Sequence, residues 1–195
     1  MRLCFIGDSF VNGTGDPTGL GWVGRVSAAA RRRGHDLTCY NLGIRRDTSA
    51  DIALRWREET ARRLPAGIDG RLVFAFGGND CLRENAAPRL APDASLANAR
   101  AILGAAKARH PTLMLGPPPL PLADAEARIA ALSRAFSRLC GELGIAYLDL
   151  YTPLAAIGLW RLELAVGDGA HPGAAGYALI AELVEGWPAW REWLP

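Results

Sequence analysis

A chain of 195 residues suffices for one domain with a sizeable core and falls short of two ordinary ones. Its 22 basic and 20 acidic residues leave a formal charge of +2, too even a balance to point to nucleic acid or an anionic membrane surface as partner. Half of the residues are hydrophobic, yet no apolar run approaches the roughly 20 residues of a membrane span.

Taken in order, the chain alternates short apolar runs with helical patterns, the signature of a parallel sheet covered on both faces. Strand 1 is predicted over residues 2–7 and leaves no room for a secretion signal, so the cytoplasm is the expected compartment. A helix follows over 21–33, with Trp22, Val23 and Val26 on one side. Arg31, Arg32 and Arg33 close it before Gly34, where cations meet the negative end of the helix dipole. Strand 2 spans 37–42, a helix 49–64, and strand 3 the continuous apolar run 71–76, which belongs at the centre of the sheet. A helix over 94–109 stops at His110-Pro111, and strand 4 follows over 112–115. Pro117, Pro118 and Pro119 then force an extended loop without amide donors. The longest helix, 124–143, ends at Gly144, and strand 5 runs over 145–150. An irregular segment leads to residues 167–172, and a last helix covers 174–185. Trp187, Trp190 and Trp193, three apart, read as a short tail helix that docks an aromatic stripe on the body, with a partner surface as the alternative. A homo-oligomer is compatible with this pattern. Cys4, Cys39, Cys81 and Cys140 form no CxxC pair, and Cys4, Cys39 and Cys140 are expected to be buried and reduced.

Five strands joined through helices give one domain over 1–195. It is a three-layer α/β/α sandwich on a doubly wound parallel five-stranded sheet, order 2-1-3-4-5, with right-handed crossovers. In such a sheet ligands bind at the carboxyl edge. Three predicted strand ends carry polar residues there: Asp8-Ser9 after strand 1, Asn41-Leu42-Gly43 after strand 2, and Gly77-Gly78-Asn79-Asp80 after strand 3. Asp168 and His171 add a carboxylate and an imidazole three residues apart.

Acyl transfer needs such a set. A serine hydroxyl is a weak nucleophile until a base takes its proton. Histidine titrates near working pH, and a carboxylate on its far nitrogen fixes the tautomer. Of the three histidines, His35 and His110 fall in connections at the amino edge, so a histidine base for Ser9 must be His171, with Asp168 as its natural third member. The Ser9 and Gly43 amides and the Asn79 side chain are candidate donors to an oxyanion. Taken singly, each residue also has an ordinary reading. Ser9 fits a helix cap, Asn79-Asp80 a helix start, Asp168-Gly169 a turn, and His171-Pro172 the opening of the last helix. A non-catalytic flavodoxin-like module that binds a flavin or phosphate ligand at the same edge is the alternative from another class. The GxGxxG match over Gly19–Gly24 lies too far past strand 1 for a dinucleotide fingerprint, and no acid closes strand 2. No cofactor is expected, and no cluster has metal-ligand spacing.

Gly7-Asp8-Ser9, Asn41-Leu42-Gly43, Gly77-Gly78-Asn79-Asp80 and Asp168-Gly169-Ala170-His171-Pro172 together resemble, in order, the four blocks of the SGNH hydrolases, or GDSL esterase/lipase family. The resemblance spans residues 7–172 and implies a flavodoxin-like fold. It also implies Ser9 as nucleophile, His171 as base, Asp168 as its orienter, and Gly43 and Asn79 as oxyanion donors beside the Ser9 amide. The expected activity is hydrolysis of small or short-chain carboxylic esters, with sugar O-acetyl esters, thioesters and lysophospholipids as candidate substrates. One departure stands out. The family's second block often carries a further glycine three residues on, and here that place holds Arg46. Arg45 and Arg46 are candidates for contact with an anionic or polar part of the substrate, or else form a surface pair balanced by Asp47 and Asp51.

Overall fold

The computed structural model describes residues 1–122 and 124–194. Strand β1 (Arg2–Gly7) is flanked by β2 (Thr38–Gly43) and β3 (Gly70–Ala75). The short helix α1 (Ser9–Asn12) follows β1 directly, α2 (Gly21–Arg32) precedes β2, and α3 (Ser49–Ala61) precedes β3. After β3 come α4 (Gly78–Cys81) and a hairpin of β4 (Arg83–Glu84) and β5 (Ala87–Pro88), paired only with each other. The chain continues through α5 (Pro92–Lys107), β6 (Thr112–Leu115), α6 (Glu126–Leu143) and β7 (Ala146–Leu148). Four helices close it: α7 (Tyr151–Ala155), α8 (Gly158–Val166), α9 (Ala174–Gly186) and α10 (Pro188–Trp193). The sheet is parallel throughout, in the order β2-β1-β3-β6-β7. With the hairpin left out of the count, this is the expected 2-1-3-4-5 order.

Period-two alternation sends β1 and β3 side chains to opposite faces, and an aromatic cluster fills each. Phe5 packs edge-on against Trp22 of α2, centroids 5.5 Å apart, and lies 6.1 Å from Trp190 of α10. On the other face Trp56 meets Phe74 edge-on at 5.6 Å, and Phe76 meets Phe136 of α6 at 5.7 Å. All of these rings are buried, each worth about 2–3 kcal/mol in area removed from water. The tail helix therefore docks on the body, with Arg71 seated over Trp193. Cys4, Cys81 and Cys140 are buried and Cys39 only half-buried, and all four are free thiols.

Two stretches differ from expectation. The segment predicted as irregular after strand 5 contains α7 and α8, and the latter buries Trp160 and Leu164. The hairpin after α4 is an addition to the expected elements. Its central residues Asn85 and Ala86 both have positive φ, 51° and 67°, as a two-residue type I′ turn requires. An alanine there carries none of the usual sequence signal for that turn. No helix among the described residues is long and apolar enough to cross a membrane.

Candidate active site

The carboxyl ends of β1, β2 and β3 converge because their last residues stay in register: Gly7 pairs with Gly43 on one side and Ala75 on the other. The fit at Gly7 is close, and a Cβ there would stand 2.0 Å from the Ala75 carbonyl oxygen. Asp8 then caps α1, its carboxylate accepting the Phe10 amide at 3.0 Å. Ser9 is the first residue of that helix and is buried at the bottom of a cleft of about 300 Å³.

His171 enters from the loop between α8 and α9. Its Nε2 lies 2.8 Å from Ser9 Oγ, and its Nδ1 lies 2.8 Å from Asp168 Oδ2. The second oxygen of Asp168 accepts the backbone amides of His171 and Ala170, at 2.8 and 3.0 Å. One carboxylate thus both builds the turn and orients the ring. With Nδ1–H donating to Asp168, the Nε2 lone pair faces the serine hydroxyl, the tautomer that can accept its proton. Burial alone would raise the Asp168 pKa. Hydrogen bonds from the His171 ring and from the two amides outweigh it and hold the carboxyl down at about 2, so the group stays anionic across the working range.

The ring is also wedged from behind. Phe10 lies 5.6 Å from the His171 ring and stacks on Trp160 at 6.3 Å. Trp160 Nε1–H donates to the Pro119 carbonyl and the Tyr177 hydroxyl to the Thr14 carbonyl, at 2.9 and 2.7 Å. Sequence reasoning missed Trp160 because α8 carries few of the signals that announce a helix, with no side-chain cap at its start.

The loop after β2 is held by Arg55 and the α3 cap, which no motif flagged, and by Asp80. Arg55 of α3 donates to the carbonyls of Gly7 and Leu42, both at 2.9 Å, and to Asp47 at 2.6 Å. It thereby pins two strand ends and the loop with one side chain. Thr48 and Asp51 cap α3 reciprocally. Buried Asp80 accepts the Ser49 amide at 2.8 Å and its hydroxyl at 2.6 Å, tying this loop to α4.

Of the expected oxyanion donors, Asn79 lies in the cleft, its Nδ2 donating to the Asp47 carbonyl at 2.9 Å and lying 3.4 Å from Asp8 Oδ2. The Ser9 amide makes no hydrogen bond among the described residues. Gly43 is different. Its amide already donates to Asn41 Oδ1 at 3.0 Å, and it does not line the cleft. A glycine is needed there for another reason: a Cβ would fall 2.2 Å from the Asn12 nitrogen, so the residue lets β2 lie against α1. Arg46, three residues on, does line the cleft and takes the left-handed conformation at φ 73°. Its amide is free of internal hydrogen bonds among the described residues. Arg45 also lines the cleft, with Nη2 3.4 Å from Asp168 Oδ2.

Asp8 gains weight in the structure. Burial pushes its carboxyl up to about 7, the Phe10 amide pulling the other way and nearby Asp80 and Asp47 adding to the rise. Among the described residues no three His, Cys, Asp or Glu side chains cluster as a metal site would require.

The whole chain has solved counterparts. It is similar to a lipase/acylhydrolase from Enterococcus faecalis, at 21% identity and TM-score 0.82 over 97% of this chain and 96% of that one. TesA shares 27% identity at TM-score 0.78, covering 98% and 99% of the two chains. Axe2, an acetylxylan esterase from Geobacillus stearothermophilus, shares 20% at TM-score 0.76, covering 93% and 91%. No curated protein sequence matches. The model of the GDSL-like lipase/acylhydrolase family matches residues 5–179, from the strand that leads into Ser9 to the helix that follows His171. The chain belongs to the GDSL-like lipase/acylhydrolase family and is a hydrolase acting on ester bonds.

Proposed function

We propose that the protein is a serine esterase that works through an acyl-enzyme on small carboxylic esters. The observation that carries this is the unbroken relay of 2.8 Å contacts from Ser9 Oγ through His171 to Asp168, at the foot of an open cleft. His171 takes the Ser9 proton as Oγ attacks the ester carbonyl. It passes that proton to the leaving alcohol as the tetrahedral intermediate collapses, and then activates water to release the acid. Asp168 stabilises the imidazolium and keeps the ring in place. The developing oxyanion is held by the Ser9 and Arg46 amides, free of internal hydrogen bonds among the described residues, and by Asn79 Nδ2, which exchanges its long 3.4 Å contact with Asp8 for it; Arg46 takes the place of Gly43, which does not line the cleft.

The cleft volume sits at the small end for ligand sites, and Phe10, Leu82 and Leu120 provide its apolar lining. Both features favour short acyl groups. The acetylxylan esterase among the structural neighbours puts sugar acetyl esters on the panel, beside thioesters and lysophospholipids. The four free thiols support the cytoplasm as the compartment. A fluorophosphonate should label wild type at Ser9, and an ester panel of graded acyl length should peak at the short end. Undiminished hydrolysis by Ser9→Ala would remove Ser9 from the mechanism.

A further inference from the structure

Arg45, Arg46, Arg83 and Arg89 are among the residues that line the cleft, and the proposed reaction uses none of their guanidinium groups. Two come from the loop after β2. The other two flank Leu82 through the β4–β5 hairpin, since the Arg89 amide closes on the Leu82 carbonyl at 2.8 Å and brings both ends of the hairpin to the rim. The carboxylates that the sequence offers to Arg45 and Arg46 are committed elsewhere, Asp47 to Arg55 and Asp51 to the Thr48 cap. The remaining contacts of the four differ: Arg89 donates to the Arg46 carbonyl at 2.6 Å with only 18% of its side chain exposed, and Arg83 donates to the Ala86 carbonyl at 3.0 Å. Arg45 reaches Asp168 at 3.4 Å, although that oxygen already serves His171. Arg46 and Arg89 share one exposed carboxylate, Glu84, at 3.9 and 3.5 Å. Arg83 faces exposed Asp124 at 3.4 Å. The pairs of Arg45, Arg46 and Arg83 are long and exposed, contribute little and exchange readily for a better-placed anion.

Elsewhere the same chain pairs arginines closely: Arg55 bonds Asp47 and Glu59 at 2.6 and 2.7 Å, with only 15% of its side chain exposed. The contrast is between arginines that brace the fold, Arg55 and Arg89, and arginines of the cleft whose side chains stay largely exposed, Arg45, Arg46 and Arg83. Guanidinium forks suit carboxylate and phosphate oxygens, which they can bind in bidentate fashion.

Building on the esterase reading, we propose that the cleft selects esters bearing an anionic group, carboxylate or phosphate, near the scissile carbonyl, and that Arg45, Arg46 and Arg83 form its recognition surface, with Arg89 holding the Arg46 carbonyl. The anion can sit on either side of the ester. Arg45 borders the His171 side, where the alcohol leaves, and Arg83 adjoins Leu82 at the start of the β4–β5 hairpin.

The test uses the purified protein and two matched substrate pairs. In one the anion is on the acyl side, 4-nitrophenyl hemisuccinate against 4-nitrophenyl butyrate. In the other it is on the alcohol side, 4-acetoxybenzoate against its methyl ester. At low salt the anionic member of at least one pair should have the higher kcat/KM, by about tenfold, and sodium chloride should erode that advantage while leaving the neutral ester's rate level. Arg83→Gln and the charge reversal Arg83→Glu should lower the anionic-to-neutral ratio in that order, chiefly through KM. Circular dichroism checks that both variants fold, and wild type alone already decides the preference. Equal kcat/KM within both pairs, or a ratio unmoved by either variant, overturns the proposal while leaving the esterase reading intact. Absence of turnover on all four esters together with no fluorophosphonate label on Ser9 overturns both.

Discussion

The two ends of the parallel sheet use similar residue types to different effect. At the amino end His110 Nδ1 sits 3.1 Å from the Gly70 carbonyl, the Thr112 hydroxyl donates to the His110 carbonyl at 2.8 Å, and Lys107 Nζ donates to the carbonyls of Leu143 and Gly144. These groups close helix and strand ends that would otherwise leave carbonyls bare. At the carboxyl end a histidine and a hydroxyl face each other instead, with a carboxylate behind the ring. The amino-end groove is the larger, about 530 against about 300 Å³. Cavity size therefore does not locate the chemistry in this molecule. A set of complementary groups does, and the topology explains why it forms where it does: strands run out at the carboxyl edge into loops whose side chains and amides converge.

The sharpest way to break this contrast is to remove a hydroxyl at one end and an imidazole at the other. Ser9→Ala should lower ester turnover by about three orders of magnitude or more, as loss of a triad member does. His110→Ala should leave turnover at the wild-type level and cost on the order of 1 kcal/mol of stability, the value of one hydrogen bond. Equal losses at both ends would erase the distinction. Asn79→Ala comes next, with a fall in kcat of about a hundredfold and little change in KM, as for a donor used only in the transition state. A rise in KM of similar size would instead assign Asn79 to its other visible role, the 2.9 Å bond that holds the Asp47 carbonyl.

How far each end could be read from residues alone follows the same line. The strands and most of the helices were legible because their patterns are set by burial: the run Leu72 to Phe76 can only be central, and Gly144 stops α6 in the left-handed conformation. Ser9 and Asn79 were legible because each follows a strand closely, and Asp168 and His171 because a carboxylate and an imidazole stand three apart, although α7 and α8 separate them from β7. The supports were not. Arg55 looks like any helix arginine until the two strand carbonyls beside it are known. Trp160 lies in a stretch whose pattern reads as irregular, and the hairpin turn at Asn85-Ala86 lacks the glycine that advertises such turns. At Gly43 one signal has two possible sources: close packing against Asn12 requires a glycine there, which in sequence looks the same as a glycine required by a ligand.

The carboxyl end also buries charge that the amino end keeps at the surface, and this gives a stability test. The Asp8 carboxyl titrates near 7 in the folded protein against an ordinary value of 3.8. Between those values the folded state keeps a proton that the unfolded chain has lost, so this group's contribution to stability falls as pH rises from about 4 to 7 and is constant above. Asp8→Asn removes the titration while keeping a side chain able to cap α1. The variant's melting temperature, relative to wild type, should therefore climb from pH 4 to pH 8, by the equivalent of about 1–3 kcal/mol. A difference that stays flat across that range would mean that Asp8 carries no buried charge.

The smallest effect expected concerns the backbone of Arg46, which holds φ 73° beside the cleft without being glycine. A side chain in the left-handed region costs about 1–2 kcal/mol, and glycine avoids that cost but loses more freedom on folding. The two partly cancel, so Arg46→Gly should raise stability by no more than about 1 kcal/mol. Arg46→Val, with a β-branched side chain that the left-handed region excludes, should lower it by more than that. The pair separates the two parts this residue plays. Both variants lose the guanidinium, while only glycine keeps the loop relaxed with its amide in place. If the amide holds the oxyanion, turnover of a neutral ester should fall further in Arg46→Val than in Arg46→Gly. Equal turnover in the two variants would mean that the loop conformation at position 46 does not matter to the reaction.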